Sequence, residues 1–143
     1  MKPQKLSYDD FLLSLRLAPR IVVELFIRNR ERELLLLLRE LEPFEGLWHL
    51  PGGFLLKGET FDECCIRLAN EEIGLGLMVG MFTKLGDFED LVGDPRGHLV
   101  HSIYTADIED DDVRIGDKVK FFAKLPEEIM PTHKEMIEKF GGQ

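Results

Sequence analysis

Two adjacent glutamates, Glu71 and Glu72, are the side chains best suited to chemistry, and they close a stretch with helical spacing. Successive helical residues are about 100° apart, so both carboxylates can face one cleft. Mg²⁺ takes oxygen ligands and often shares them with substrate phosphates. Arg67 precedes Glu71 by one turn, at the spacing that lets an arginine orient a carboxylate. The pattern predicts a divalent-cation site that serves phosphate chemistry.

A glycine pair, Gly52 and Gly53, lies upstream of this helix. Glycine lets the backbone approach another group closely, so the Gly52 carbonyl is a further candidate metal ligand. Taken alone, each feature has a simpler explanation. Glu and Arg at i,i+4 are common on solvated helix surfaces, and Pro51-Gly52-Gly53 is first of all a strong break after a strand. The joint spacing is what favours a site.

The elements that must position these residues are strands interrupted by helices. Helical patterns predict three helices. The first begins after a Ser7 cap and is ended by Pro19. The central helix runs from a Thr60 capping box to about Glu72, with Gly74 after it, and the last runs from Pro131 through Phe140. Strands are predicted at 21–27, 33–38, 47–50, 78–85, 98–107 and 118–122, with a hairpin turn at 28–32. This order predicts one domain, 1–143, of α+β class: a mixed β-sheet flanked by helices in α/β/α layers. The run 34–38 does not alternate, so burial on both faces is expected.

The composition argues against several functional classes. Hydrophobic residues make up 44% and charged residues 31% of the 143, which argues against disorder. The longest apolar run, 34–38, is too short to cross a membrane, and a net charge of −9 gives no bulk attraction to nucleic acid. No apolar segment follows the first five residues, so a cytoplasmic protein is expected. The adjacent Cys64 and Cys65 are expected to be reduced, apolar helix residues.

The segment from Gly53 to Leu75 resembles the Nudix box: a glycine, five residues, a glutamate, seven residues, then Arg-Glu-apolar-any-Glu-Glu-any-Gly-apolar. Eight of its nine defined positions match. The resemblance implies a Nudix hydrolase that uses Mg²⁺ or Mn²⁺ to hydrolyse a small-molecule nucleoside diphosphate linked to another moiety, and it implies a homodimer. It also implies catalytic roles for Glu59, Arg67, Glu71 and Glu72, and metal binding by Gly52, Glu71 and Glu72.

Leu68 is the one departure, because most Nudix enzymes carry a glutamate there. On a helix Leu68 shares a face with Glu71 and Glu72, so an acidic group is lost from that face. The same Arg-Leu pair occurs in a branch that this chain resembles, the GDP-mannose mannosyl hydrolases, which attack the sugar carbon. In that resemblance Glu24 and Arg39 bind substrate. Arg39 suits a diphosphate because its fork matches phosphate oxygens, and a strand-end surface arginine is the alternative.

Two positions differ from that branch. Phe54 stands where the branch has an arginine after Gly-Gly, and no histidine lies between His101 and His133, where the branch has its base. The loop 109–118 offers four carboxylates instead, which a solvated acidic loop explains more simply: Asp110, Asp111, Asp112 and Asp117. The catalytic base stays open, and His49 and His133 are expected to be surface or core residues.

The turn from Asp94 to His98 is similar to a segment of ADP-ribose pyrophosphatase-like Nudix proteins. Its Arg96 either contacts a substrate phosphate or base, or holds the turn. The nucleotide base, the sugar and the cleaved bond stay open. A catalytically weak or inactive Nudix-fold nucleotide-binding module is the main alternative to a hydrolase, because Leu68 and the missing histidine permit it. A third hypothesis is an interaction domain that presents Phe44, Trp48 and Phe54 to a partner.

Overall fold

The computed structural model describes residues 2–75 and 81–142, which contain three α-helices and seven strands. The elements are α1 (Tyr8–Leu17), β1 (Arg20–Arg28), β2 (Leu34–Leu38), β3 (Trp48–His49), β4 (Gly52–Phe54), α2 (Phe61–Ile73), β5 (Thr83–Asp90), β6 (Leu99–Asp107), β7 (Val119–Phe122) and α3 (Pro131–Phe140). A single 3₁₀ turn, Asp110–Asp112, lies between β6 and β7. None of the described helices is long and apolar enough to span a membrane.

These strands form one mixed sheet in the order β3-β2-β1-β6-β5, with β4 beside β1 and β7 beside β2. β1 is parallel to β6, from the pair Arg20–Leu99 to the pair Arg28–Asp107. On its other edge, β1 pairs with β4 over 22–24 and with β2 only at Arg28. β2 and β4 therefore diverge, and a cleft opens along the edge of β1 between them.

The two faces of the sheet carry separate apolar cores, each covered by a helix. On one face the sheet packs against α2 through residues such as Cys64, Leu68 and Ile73. On the other face it packs against α3 through Met136, Ile137 and Phe140. β2 serves both cores, with Leu35 and Leu37 in the first and Leu34 and Leu36 in the second. The α+β class, the layering and the two-sided burial of β2 are confirmed.

Local capping explains where the helices begin and end. Asp10 N–H donates to the Ser7 hydroxyl at 3.2 Å, and Thr60 and Glu63 form a reciprocal capping box at the start of α2. Gly74 ends α2 in the left-handed conformation, at φ 70°. The Glu63 carboxylate is used in this cap.

Three strand predictions needed correction. Residues 47–50 form a strand only over Trp48–His49, and the Pro-Gly-Gly break continues into the strand β4. The strand predicted at 78–85 is found at Thr83–Asp90, and residues 78–80 of that prediction lie outside the described residues. Gly86 sits at a register shift in β5, and a glycine inside a strand commonly marks such a bulge. The glycine concealed the second half of the strand.

Candidate active site

The cleft beside β1 brings together five of the eight predicted site residues. It holds about 350 Å³, and the five that line it are Glu24, Arg39, Gly52, Glu72 and Arg96. Each comes from a different part of the fold: in chain order, β1, the segment after β2, strand β4, the end of α2 and the segment after β5. The divergence of β2 from β4 is therefore what allows residues so distant in sequence to face one space.

Glu72 presents the least neutralised carboxylate of the cleft. Glu72 lies near the end of α2 and lines the cleft. No hydrogen bond or ion pair joins its carboxylate to another described side chain. Burial of the carboxyl, followed by the charges of Glu71 and Glu24, raises the pKa of Glu72 above its ordinary value. A carboxylate raised in this way gains affinity for a cation, since a cation relieves the repulsion.

Glu24 lies at the base of the cleft, and its residue is only 3% exposed. One carboxylate oxygen, Oε1, accepts from His101 Nδ1 at 3.0 Å and lies 3.6 Å from His133 Nε2. The other oxygen, Oε2, is buried, and no described residue forms a hydrogen bond with it. Burial alone would raise the pKa of the Glu24 carboxyl, but His133 and His101 hold it below its ordinary value. Glu24 is therefore an ionised carboxylate with one free oxygen.

His101 links Glu24 to a second buried acid. Its Nε2 lies 3.8 Å from Asp90 Oδ2 and has no hydrogen bond. Burial opposes the charged form, but the bond to Glu24 and the nearby Asp90 and Asp94 raise the pKa of His101. An imidazolium between two carboxylates compensates part of the buried negative charge.

Arg39 and Arg96 bring two positive charges to the same cleft. Arg39 uses Nε to donate to the Pro43 carbonyl, and no described residue accepts from its terminal nitrogens. Arg96 holds Asp94 through two bonds, Nε–Oδ1 at 2.9 Å and Nη2–Oδ2 at 2.7 Å. Burial and then the charge of Arg96 lower the pKa of Arg39. Two guanidinium groups that repel each other favour a bound anion such as a diphosphate.

Three predicted site residues lie together outside the cleft lining. Arg67 binds the Glu59 carboxylate at two points, Nη2–Oε1 at 2.8 Å and Nε–Oε2 at 3.1 Å, and also donates to the Phe54 carbonyl at 3.0 Å. Glu71 contacts Arg67 at 3.3 Å and Lys5 at 3.2 Å. Glu59 and Arg67 thus tie the loop after β4 to α2, while Glu71 turns toward Lys5 and Glu72 toward the cleft.

Leu68 is a core residue and does not reach the cleft lining. Its side chain is buried against the sheet at 2% exposure, and its Cδ2 lies 2.7 Å from where a β-carbon on Gly53 would be. Gly53 therefore lets β4 pack closely on α2 with Leu68 in its present position. The acidic group that most family members carry at position 68 is replaced here by an apolar contact.

Sequence reasoning missed the histidines around Glu24. His49 lines the cleft, and its Nδ1 lies 2.7 Å from the Leu50 carbonyl. His133 is buried, in agreement with the expectation of a surface or core position. It accepts from Leu50 N–H at 2.9 Å through Nδ1, which adds a role in supporting the site. A signal was present: a glutamate inside the apolar run of β1 needs buried cationic or polar partners.

The acidic loop contributes less to the cleft than its composition suggested. Asp112 caps Glu109 N–H at 3.0 Å, and both line a separate pocket with Arg30 and Arg32 at the β1–β2 hairpin. Lys118, at the end of this loop, does line the cleft. The aspartates 110, 111 and 112 are absent from the described lining of the cleft.

The donor set fits a hard divalent cation. Glu72 and Oε2 of Glu24 are oxygen donors, and so is the backbone carbonyl of Gly52, which lines the same cleft. Across residues 2–75 and 81–142, no group of three His, Cys, Asp or Glu side chains is arranged to hold a metal by itself. Mg²⁺ commonly uses one or two carboxylates and takes its other oxygens from water and substrate phosphates, so a cation site completed by substrate fits these residues.

The fold and the cleft define a layered α/β/α domain with an acidic, arginine-lined site at the edge of a mixed sheet. Residues 18–140 match the family model described as the NUDIX domain. The chain therefore belongs to the NUDIX domain family, in agreement with the box at 53–75.

Two curated relatives share about a third of their aligned residues with this chain. An ADP-ribose pyrophosphatase of Methanocaldococcus jannaschii is 34% identical over 106 residues, which cover 74% of this chain and 61% of the relative. The low-salt glycan biosynthesis protein Agl8 of Haloferax volcanii is 33% identical over 101 residues, 68% of this chain and 64% of the relative. The match thus spans less than two thirds of either relative.

Solved structures with the same fold come from several bacteria. A MutT/nudix family protein of Enterococcus faecalis has a TM-score of 0.75 at 24% identity, covering 96% of this chain and 69% of that one. A MutT NUDIX hydrolase of Burkholderia pseudomallei has a TM-score of 0.73 at 25% identity, covering 85% of this chain and 97% of that one. The NUDIX domain of Shewanella oneidensis NrtR, in complex with ADP ribose, has a TM-score of 0.68 at 23% identity, covering 94% of this chain and 96% of that one. Such likenesses support the assigned fold.

Proposed function

We propose that this protein is a metal-dependent hydrolase of a nucleoside diphosphate linked to another moiety, with ADP-ribose-like compounds as the leading substrate class. One observation carries the proposal: Glu72, which has no partner among the described side chains, and the guanidinium groups of Arg39 and Arg96 face the same cleft. An acidic cation site beside two diphosphate-binding cations is the arrangement that phosphate-ester hydrolysis needs.

The choice of ADP-ribose-like compounds is supported by two similarities. The M. jannaschii relative, 34% identical over its aligned part, is named an ADP-ribose pyrophosphatase. The NrtR NUDIX domain, which shares the fold, was crystallised with ADP ribose. Arg96, which stands in the turn of the same resemblance, lies in the cleft.

The arginines bind and orient the diphosphate. Within the described part of the chain, no group accepts from the terminal nitrogens of Arg39 or from Nη1 of Arg96, whose other two nitrogens are held by Asp94. Phe54 lies 5.7 Å below the Arg96 guanidinium and restricts its movement. A rigidly held arginine loses little side-chain freedom when it binds phosphate, which favours a productive orientation.

Glu72 and the Gly52 carbonyl would hold Mg²⁺ or Mn²⁺ at the diphosphate, and Glu71 would join them where substrate and cation draw it away from Arg67 and Lys5. When bound, the cation neutralises the diphosphate and lowers the pKa of a bound water. Glu59 and Arg67 act by fixing the loop after β4 to α2, so that Gly52 and Glu72 keep their separation.

Attack at phosphorus is favoured over attack at the sugar carbon. Leu68 is the feature shared with the mannosyl-hydrolase branch, but it is occupied in packing against Gly53. Phe54 replaces the arginine of that branch, and the aspartates of the loop 110–112 do not line the cleft in the described structure. A GDP-mannose-type reaction therefore stands as the alternative outcome of the product analysis.

A binding module with little turnover is the second candidate. It is favoured by the two ion pairs of Glu71, with Arg67 and with Lys5, and by its absence from the described lining of the cleft. Such a protein would bind the nucleotide and the cation without hydrolysing the diphosphate.

The experiment is a product screen over ADP-ribose, nucleotide sugars, dinucleoside polyphosphates and nucleoside triphosphates, with Mg²⁺ and with EDTA. We expect metal-dependent release of two monophosphates, and a fall in kcat/KM of about 100-fold or more in Glu72→Gln. Glu89→Gln is the matched control, because this exposed residue of β5 lies outside the cleft lining. Binding without turnover of any substrate would support the module instead.

The homodimer implied by the family resemblance stays a prediction. Helix α1 has no buried residue and leaves Tyr8, Leu12 and Leu17 exposed, which gives a candidate surface. Light scattering of the purified protein tests it: the mass of two chains is expected, and the mass of one chain at all concentrations would refute it.

A further inference from the structure

We propose that Glu24, which lies on the central strand β1 and outside the Nudix box, is a direct ligand of the divalent cation together with Glu72. This inference rests on the proposed function, since it concerns the same cleft. It adds to that function a metal ligand that comes from the sheet. Glu24 thereby supplies the carboxylate that Leu68 no longer provides on α2.

The two oxygens of Glu24 have different environments. Oε1 accepts a hydrogen bond from His101 and faces His133. Oε2 is buried, has no hydrogen-bond partner among residues 2–75 and 81–142, and belongs to a residue that lines the cleft. An unpaired carboxylate oxygen in a buried position costs free energy unless something else binds it. A cation in the cleft would provide that partner.

Gly52 places the backbone and this oxygen in one small space. Glu24 and Gly52 are paired residues of β1 and β4. A β-carbon on residue 52 would lie 2.4 Å from Glu24 Oε2 and 2.5 Å from the Val23 carbonyl oxygen. The absence of a side chain therefore leaves empty the space beside Oε2 that a β-carbon would fill.

Glu72 and Glu24 both line the cleft. No described cation forms an ion pair with either Glu72 or the Oε2 of Glu24. The arginines of the cleft are held otherwise, Arg39 by the Pro43 carbonyl and Arg96 by Asp94. Two carboxylates that face one cleft without a cation between them form a natural site for a hard divalent ion.

His101 and Asp90 make this assignment compatible with burial. The hydrogen bond from His101 fixes the orientation of the Glu24 carboxylate and leaves Oε2 without a partner among the described residues. Neighbours that orient a ligand in this way are typical of metal sites. His101 is in this respect a positioning residue, because it acts through Glu24.

Binding of Mn²⁺ alone, followed by the electron paramagnetic resonance signal of the free ion, tests the proposal without turnover. We expect Glu24→Gln and Glu72→Gln each to weaken Mn²⁺ binding by about tenfold or more, and Glu89→Gln to stay within twofold of the unaltered protein. Gln keeps an oxygen for the His101 bond while it removes the charge. Circular dichroism of each metal-free variant checks that the fold is intact.

A second measurement needs no variant, so it holds even if Glu24→Gln does not fold. Substoichiometric Mn²⁺ should broaden the NMR signals of the Gly52 amide and the His101 ring before those of the Arg67 side chain. Normal Mn²⁺ affinity in Glu24→Gln, or first broadening at Arg67 with His101 unaffected, would overturn the proposal. Turnover with normal metal binding in Glu24→Gln would refute this inference alone, whereas metal binding without turnover would refute the hydrolase alone.

Discussion

Glu24 and Gly52 oppose each other across the β1–β4 pair, and the free oxygen of Glu24 lies 2.4 Å from the position that a β-carbon on residue 52 would occupy. The glycine of the loop and the acid of the central strand therefore form one structural unit. A side chain at position 52 and the present position of Glu24 exclude each other.

Gly52→Ala should displace Glu24 or open the β1–β4 pair, because the added carbon also meets the Val23 carbonyl at 2.5 Å. We expect a loss of about 1–3 kcal/mol in the free energy of unfolding, together with weaker Mn²⁺ binding. Urea denaturation and Mn²⁺ titration check this. Gly116→Ala is the control, since a β-carbon there meets nothing within 4 Å. Equal effects of the two changes would contradict the close approach.

Leu68→Glu tests whether the apolar residue is only a missing ligand. The side chain is buried in the core between α2 and the sheet, so an ionised glutamate there should cost about 3–5 kcal/mol of stability. Leu68→Met, which keeps an apolar side chain of similar volume, should cost much less. Thermal unfolding compares them. A stable Leu68→Glu protein with tighter Mg²⁺ binding would show that position 68 faces the cation after all.

The Glu59–Arg67 pair should be the strongest ion pair of the α2 region. Glu59 is 2% exposed and the contact is two-pointed, so a double-mutant cycle with Glu59→Gln and Arg67→Met should give a coupling of about 1–3 kcal/mol. The exposed Lys5–Glu71 pair is the comparison, and it should give less than about 1 kcal/mol. Similar couplings for the two pairs would show that the buried pair has no special role in fixing the loop.

His133 should make the protein less stable as the pH falls below 6.5. Burial lowers the pKa of His133 from 6.5 to about 4, so between these values the unfolded chain binds a proton that the folded chain does not. The contribution of His133 to the free energy of unfolding is therefore complete above pH 6.5 and decreases as the pH falls toward 4. His101 does not oppose this trend, because its raised pKa acts above pH 6.5.

His133→Asn provides the comparison, since its Oδ1 can still accept from Leu50 N–H. The stability difference between the unaltered protein and this variant should shrink by about 2 kcal/mol between pH 6.5 and pH 5. Denaturant unfolding at the two pH values measures it. An unchanged difference would mean that His133 titrates alike in both states.

The sequence predicted the elements whose signals are local and failed where position depends on strand pairing. The helices follow from Ser7, the Thr60 capping box and Pro131, and two-sided burial of β2 follows from a run without alternation. The strand at Gly52–Phe54 was missed, because two glycines and a proline give no strand signal and the pairing with β1 decides.

The same limit applies to the site. The spacing of the box indicated Glu59, Arg67, Glu71 and Glu72 together, but it could not show which helix face is cleft. In the fold Glu72 lines the cleft while Glu71 contacts Lys5, a residue of the N-terminal segment. The glutamate inside the apolar run of β1 indicated that it has buried partners, but the sequence could not identify them, since His101 meets Glu24 through the parallel pairing of β1 with β6.

Hydrolysis of ADP-ribose with Mg²⁺ in ¹⁸O-labelled water, followed by mass spectrometry of the products, tests the central claim most directly. We expect AMP and a ribose phosphate, with one ¹⁸O on a phosphate of one product, and loss of the reaction in Glu72→Gln. Label on a free sugar with an intact nucleoside diphosphate would place the attack at carbon. No product from ADP-ribose or from any other nucleoside diphosphate derivative, in a protein that binds Mn²⁺, would contradict the assignment of this cleft as a hydrolase site.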